Sequence, residues 1–536
     1  MKTFSTLAFL DGAGAWLNGL AASTPRLFEA LLVIAVLFPF CVAIALAVGG
    51  NLKPRPVKVT AMAGFVLSAL CALFLAATYY AMDAAGGYAF EIIRETGLQR
   101  FGVFLHFGLN GISTPLFAMA GLVGLAAGAY AVSGQIERLR LFLILLLTMQ
   151  SGLMGLFASV DVLFFYLFHE FALIPTFILI AMWGGRGRKV VALEMTIYLT
   201  FGAMLTLAGL LLLYLSSDAL AFNMIELRRV VGTIDHGTTI AALLLLGFGV
   251  LVSLFPFHSW APKGYATAPA ANAMLHAGVL KKFGLYGLIQ IGLPLVPAGF
   301  AHWAPVLMWL ALGNIVLIGL VTMAQRDLKL MLGNASVMHM GYAFLGLFAF
   351  STVGIGGAVL MMVAHGLSVA LLFMLADVVE RRAGTTELSE LGGMAKTAPV
   401  LAGFFVAATM ASIGLPGFAN FWGELAIFVS LFKSTTPWVV APAILGIVIS
   451  AIYGLRAVSR VFFGEAKSEY IGGDLSGAEK WPAVLLLIGL LAVGLWSRLI
   501  ADDIDAAVQD VLATAEMQPT LPAAPEVAAT DPSPSR

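Results

Sequence analysis

Apolar residues run along this chain in blocks of about twenty, the length a helix needs to cross a hydrocarbon core. Most of the Lys, Arg, Asp and Glu falls between the blocks. Read this way, the pattern predicts fourteen spans, near 27–49, 59–82, 107–132, 139–160, 162–184, 190–215, 239–258, 268–294, 301–324, 330–351, 354–378, 398–432, 438–463 and 481–498. Two look broken. Span twelve contains Gly414-Leu415-Pro416-Gly417, and span seven runs into Phe255-Pro256-Phe257-His258 and then Pro262. Broken helices survive in a bilayer only where protein or a wet cavity satisfies the freed backbone. The breaks lie five spans apart. Spans four to eight (139–294) and nine to thirteen (301–463) therefore form two five-helix units. Because five is odd, the units are inverted, a common transporter plan. Spans one to three (27–132) precede them and span fourteen (481–498) follows. The expected fold is an all-α, polytopic membrane protein.

Composition narrows the function. The chain has 536 residues, 60% hydrophobic and 11% charged, with a mean hydropathy of +0.97. Soluble domains carry about 25% charged residues. This excludes a soluble enzyme, a nucleic-acid binder and a disordered chain. The 29 basic and 29 acidic residues cancel, so only their placement informs. Seventeen Lys/Arg lie in loops after odd-numbered spans, nine in even-numbered loops and tails, and three inside spans. Positive-inside bias makes the odd loops cytoplasmic and both termini extracytoplasmic. Residues 1–26 are mildly apolar and carry Asp11, which argues for an extracytoplasmic segment and against a cleaved signal peptide. The Pro/Ala-rich stretch 516–536 predicts a disordered tail. Cys41 and Cys71 fall in apolar runs and read as small buried residues. There is no CxxC, HExxH or phosphate-binding glycine loop, so no cofactor or metal is expected in this chain.

Ionisable residues inside spans cost roughly 2.5–3.5 kcal/mol each at the bilayer centre, which marks them as functional candidates. They are Glu170, His276, Lys281, Lys282, His339, His365, Asp377, Glu424 and Arg456, with His258 at the span-seven break. Glu170 lies mid-span with no basic residue expected within two turns. An unpaired buried carboxylate switches readily between protonated and ionised forms, as a proton relay requires. The plainer reading is a carboxylate hydrogen-bonded across a helix interface. Lys281 and Lys282 point about 100° apart on a helix, so one faces a central path and the other snorkels or pairs, for instance with Glu170. Glu424 follows the span-twelve break, where unwound backbone suggests a hydrated exit. His339 and His365 lie in consecutive spans and titrate closest to physiological pH. No pair has metal-ligand spacing. Together these residues point to movement of protons or cations.

Several strings resemble one family. Asp161-Val162-Leu163-Phe164-Phe165-Tyr166 leading to Glu170 and Leu173-Ile174-Pro175 is one, and Pro256-Phe257-His258-Ser259-Trp260-Ala261-Pro262 is another. So are Ser336-Val337-Met338-His339-Met340-Gly341, Ala364-His365-Gly366-Leu367 and Leu388-Ser389-Glu390-Leu391-Gly392-Gly393-Met394 followed by Gly414-Leu415-Pro416-Gly417 and Gly423-Glu424. They resemble the proton-translocating, antiporter-like membrane subunits of respiratory complex I, in the subunit M (chain 4) branch of NADH–quinone oxidoreductase. The resemblance implies a translocase subunit without its own redox centre. Its partners would be other membrane-arm subunits, the lipid bilayer and protons. It also implies a relay through Glu170, Lys282, His339, His365 and Glu424, with Lys281 beside them and His258, Lys263, His276 and Asp161 as accessory groups. Related modules occur in cation/proton antiporters, membrane-bound hydrogenases and proton-driven inorganic-carbon uptake complexes. A spacer without flux is a third reading.

The chain departs from the family pattern. The seventh-span lysine position is Leu251, an expected acid is Lys263, and the Asp before the Gly-Ile-Ser string is Asn110. Lys281 is an additional base, and either it or Lys263 takes over the missing cation, or the relay runs differently. Lys281 is the expectation, because it lies inside a span next to Lys282. Lys281→Met is then expected to abolish proton flux in reconstituted vesicles, and unchanged flux rejects the substitution.

Overall fold

The computed structural model describes residues 8–50, 52–82, 84, 86–231, 234–467 and 470–516. Its first half runs α1 (Ala8–Ser23), α2 (Pro25–Val48), α3 (Pro54–Ala81), strands β1 (Ala89–Glu95) and β2 (Phe104–Leu109), then α4 (Ser113–Ser133), α5 (Leu139–Ala158), α6 (Val162–Trp183), α7 (Arg188–Leu215) and the short α8 (Met224–Arg229). Next come α9 (Gly237–Val252), α10 (Trp260–Thr267), α11 (Ala270–Gly278), a 3₁₀ turn at Leu280–Lys282, α12 (Phe283–Gly287), a π segment at Leu288–Gly292 and α13 (Leu293–Leu295). The second half holds α14 (Pro297–Leu312), a π segment at Gly313–Ile318, α15 (Gly319–Ala324), α16 (Leu328–Phe348) and α17 (Thr352–Ala383). It ends with α18 (Pro399–Ser412), α19 (Ala419–Ser434), α20 (Pro437–Phe462), α21 (Gly477–Leu495) and α22 (Arg498–Glu516).

Ten continuous helical stretches among the described residues are long and apolar enough to cross a membrane. Four further traverses bring the number to fourteen: α9–α10, α11–α13, α16 and α18–α19. Three of these are interrupted, and α16 carries polar residues such as Asn334, Ser336 and His339. The 32-residue α17 is the centre of the bundle, and its apolar window is wholly buried. It packs against α4, α11, α16, α18, α19, α21 and α22.

The interruptions are held by named partners. In the α9–α10 break, Phe255 N–H donates to Asn314 Oδ1 (2.6 Å). Asn314 Nδ2 contacts the Ser253 and Val337 carbonyls (3.1 and 3.0 Å). Trp260 Nε1 donates to the Val250 carbonyl (3.1 Å). One buried amide thus satisfies backbone groups that unwinding would otherwise leave unpaired, as a dry interior demands. The α18–α19 break turns through Gly414 and Gly417, whose φ values of +77° and +100° favour glycine. Asp161 caps α6 and bridges to Asn223, while Asp327 caps α16 and bridges to Glu387.

Several expectations change. The predicted third span begins too early. Residues 104–109 form a strand paired antiparallel with β1, and the helix starts only at Ser113. A short apolar run cannot by itself distinguish strand from helix. Span eight, expected to be continuous, breaks at Val279 (φ −120°, ψ −61°). Span fourteen ends at Leu495, and a separate helix α22 follows. It buries Ile504, Ala507, Val508 and Val511 and joins the body through an Arg228–Asp510 ion pair (3.1 Å). Residues 8–23 of the expected N-terminal segment are helical. Cys41 is exposed, while Cys71 is buried as expected. The tail predicted to be disordered lies, after Glu516, outside the described residues.

The start of α18 is capped from a distance. Ala398 offers no side-chain cap, but the Asp474 carboxylate accepts from Val400 N–H (2.8 Å), Leu401 N–H (3.0 Å) and its neighbour Leu475 N–H (2.7 Å). Partial burial alone would raise the Asp474 pKa, but these N–H donors outweigh it and hold the carboxyl below its usual range. A carboxyl that is more acidic when folded stabilises the fold above its unfolded pKa. The contribution is lost as pH falls through the folded pKa. Asp474→Ala is expected to destabilise the protein by about 1 kcal/mol at pH 7. The difference should disappear in unfolding curves measured well below the carboxylate range.

Candidate functional site

The two lysines sit where α11 has just ended. Both are essentially fully buried, 1% exposed for Lys281 and 0% for Lys282. The tight 3₁₀ turn sends them apart. Lys282 Nζ donates to the Ala277 carbonyl (2.5 Å) and shares a hydrogen bond with His365 Nδ1 on α17 (2.9 Å). Lys281 Nζ contacts Ser336 Oγ on α16 (3.3 Å) and lies 5.4 Å from the centre of the Tyr265 ring. The last carbonyls of α11 form the negative pole of its dipole, which favours a cation there. None of these hydrogen-bond partners is a carboxylate.

From Lys282 the polar row continues through two histidines. The His365 and His339 ring centres are 5.7 Å apart. His339 Nδ1 bonds the Ala335 carbonyl (2.8 Å), which must accept, so that nitrogen carries the hydrogen. Nε2 is buried without a protein hydrogen-bond partner. Past the α18–α19 break, the Glu424 carboxylate lies against Gly414, where any side chain would collide with it. Glu424 is 6% exposed. Nearby, Tyr453 Oη and both amide atoms of Asn420 are buried without a protein hydrogen-bond partner. Asn420 precedes Glu424 by one turn on α19. Sequence reasoning missed it, although a polar amide in an apolar span just after a break was the available signal.

The other end of the row is Glu170 on α6, whose side chain is 28% exposed. The expected isolation of this carboxylate does not hold. His169 Nδ1 lies 3.5 Å from Glu170 Oε1. The contact is close enough for ion pairing, yet neither atom completes a hydrogen bond. Lys281 is directed instead toward Ser336 on α16, and the ion pair that Glu170 makes is with His169.

The accessory candidates separate. His276 is buried and stacks on Trp260 (5.6 Å between ring centres), with Nδ1 unpartnered. His258 stacks on Phe255 within the α9–α10 break. Lys263 is half exposed and pairs with Glu194 on α7 (2.8 Å), apart from the buried row. Asp161 is a helix cap, accepting from Leu163 and Phe164 N–H (2.9 and 3.1 Å). Asp377 belongs to a self-compensating cluster with Lys329 (3.3 Å), which also pairs with Glu380, and Arg381 (3.1 Å), and the cluster continues to Glu479 and Arg382. Arg456 donates to backbone carbonyls of Met323 and Gln325.

Residues 159–450 match the family described as NADH:quinone oxidoreductase/Mrp antiporter, transmembrane. NAD(P)H-quinone oxidoreductase chain 4 1 of Synechococcus sp. (strain JA-3-3Ab) is 34% identical over 440 residues, covering 80% of this chain and 83% of that protein. This chain belongs to that family. Respiratory complex I from Thermus thermophilus contains a chain that superposes with a TM-score of 0.82 at 30% identity, covering 90% of this chain and 99% of that one. The Mrp complex from Dietzia sp. DQ12-45-1b gives 0.78 at 19% identity, with 91% and 99% coverage, and shares the fold. The chain is thus a multi-pass membrane protein of a family whose members work inside multisubunit complexes.

The shared hydrogen bond between Lys282 and His365 has a thermodynamic consequence for this family member. In a double-mutant cycle of Lys282→Met and His365→Phe, detergent unfolding should report a coupling of about 1 kcal/mol or more. Pairing Lys263→Met with His365→Phe should give additive effects.

Proposed function

We propose that this chain is a proton-translocating membrane-arm subunit of a complex I-like NADH:quinone oxidoreductase. The observation that carries this reading is the row from Glu170 through Lys282, His365 and His339 to Glu424. It combines groups that exchange protons with a central pair of amines whose hydrogen-bond partners carry no carboxylate. Burying a fixed charge in that setting is costly, whereas a mobile proton lets each group be neutral for part of the cycle. The breaks at 253–259 and 413–418 supply backbone polarity beside the row. Electron transfer would reside in other subunits, and this chain would respond to it electrostatically or by conformational coupling. In this reading the segments 139–294 and 301–463 are inverted five-helix units. The chain sits in a bacterial plasma membrane with both termini outside.

A second reading is a paralogous subunit of a cation/proton antiporter or related complex. Leu251 favours it: this apolar side chain is buried in the last turn of α9 where the family resemblance calls for lysine. The chains that copurify discriminate the two. Peripheral iron–sulfur and flavin subunits support the first, and their absence supports the second.

Glu170→Gln in the assembled complex is expected to cut proton translocation by about 100-fold, the scale of a lost acid–base group. Proton uptake by membrane vesicles measures it. Wild-type uptake would identify the chain as a spacer without flux.

A further inference from the structure

His169 is 1% exposed, and its Nδ1 faces Glu170 Oε1 at 3.5 Å. Both atoms are buried and lack any other hydrogen-bond partner. The imidazole stacks on Phe283 with ring centres 3.9 Å apart and planes 15° apart. Phe283 directly follows Lys282, and α6 packs directly on the turn that carries both lysines. His169 and His276 are close enough to interact electrostatically. Helix α11, which carries His276, packs against both α6 and α5. Along these elements Gln150 Oε1, Asn272 Oδ1 and His276 Nδ1 are also buried without a protein hydrogen-bond partner. Asn272 is tied to α6 through its Nδ2, which donates to the Thr176 carbonyl (3.3 Å). Thr176 lies two turns beyond His169 on the same buried face of α6. Unpaired buried polar atoms in such a group are ordinarily paired by water.

We propose that His169 is a proton carrier joining the partly exposed Glu170 carboxyl to the buried lysine turn. The reading rests on the proton-translocating function proposed above. With hydrogen on Nε2, the neutral ring presents the Nδ1 lone pair to Glu170. The proton on Glu170 Oε1 passes to Nδ1, giving a carboxylate and an imidazolium. A half-turn about Cβ–Cγ keeps the ring in the same plane against Phe283 and swings Nδ1–H away from Glu170, where it releases its proton to water held between α6 and α11. The ring is again neutral, with its hydrogen on Nε2. The reverse half-turn returns the Nδ1 lone pair to Glu170. This places the first transfer step within α6 itself, independent of any basic group in α9.

The test separates carrying from packing. His169→Phe retains an aromatic ring for the stack on Phe283 but has no ring nitrogen. His169→Gln retains a hydrogen-bonding side chain but loses both the stack and the exchangeable imidazole proton. Each variant is measured in the intact complex for assembly, electron-transfer turnover and protons moved per turnover, beside Glu170→Gln. The expected result is normal assembly for His169→Phe and a fall in proton movement of about 100-fold, similar to Glu170→Gln. Wild-type proton movement in His169→Phe, with Glu170→Gln impaired, overturns the role of His169 and leaves the proposed function standing. Wild-type movement in both overturns the proposed function itself. If His169→Phe fails to assemble, His169→Gln decides: impaired movement in an assembled complex supports the carrier, and normal movement rejects it.

Discussion

The structure depends on how two lysines are held in a bilayer-spanning bundle without a carboxylate bonded to them. The solution is a helix that stops one turn early. Ending α11 at Gly278 brings the Ala277 carbonyl within reach of Lys282 Nζ and leaves the negative pole of the helix dipole beside the amine. The 3₁₀ turn then directs Lys281 to α16 and Lys282 to α17. Had α11 continued as a regular helix, that carbonyl would have been taken by the backbone. The amine would have lost an acceptor that costs no additional charge.

The other interruptions follow the same logic. Each broken traverse exposes backbone polarity to the interior, and each is placed next to an ionisable side chain. Asn314, in a π segment, supplies amide contacts that knit the α9–α10 break to α16. Gly414 provides both the left-handed turn and the clearance for the Glu424 carboxylate. Fixed charges are treated differently. The Lys329, Asp377, Glu380, Arg381, Arg382 and Glu479 group neutralises itself within a few ångströms, and such a network suits anchoring better than transport. The contrast between compensated clusters and the uncompensated central row marks which charges hold the fold and which can move.

Much of the candidate site was legible because an ionisable residue in an apolar block is conspicuous by itself. Glu170, Lys282, His365, His339 and Glu424 needed no three-dimensional information to be noticed. His169 was harder, since a histidine beside a glutamate in an aromatic-rich helix looks like ordinary packing. Its stack on Phe283 and its unpartnered Nδ1 change that assessment. Lys263 and Asp161 shift the other way. Each has a local partner or capping duty that motif position could not reveal.

The sequence by itself determined the number of traverses and the two glycine- and proline-marked breaks. It also supplied the set of buried ionisable groups and the family. These follow from local rules: apolar length, backbone restriction and the cost of charge in hydrocarbon. Only the tertiary structure decided which lysine meets which histidine, that span eight is broken at Val279, and that β1 and β2 precede α4. Those outcomes depend on contacts between residues far apart in the chain, such as Lys282 and His365, which are 83 positions apart. They turn on the backbone conformation of single residues such as Val279 and on helix register, neither of which leaves a periodic trace in the order of the residues.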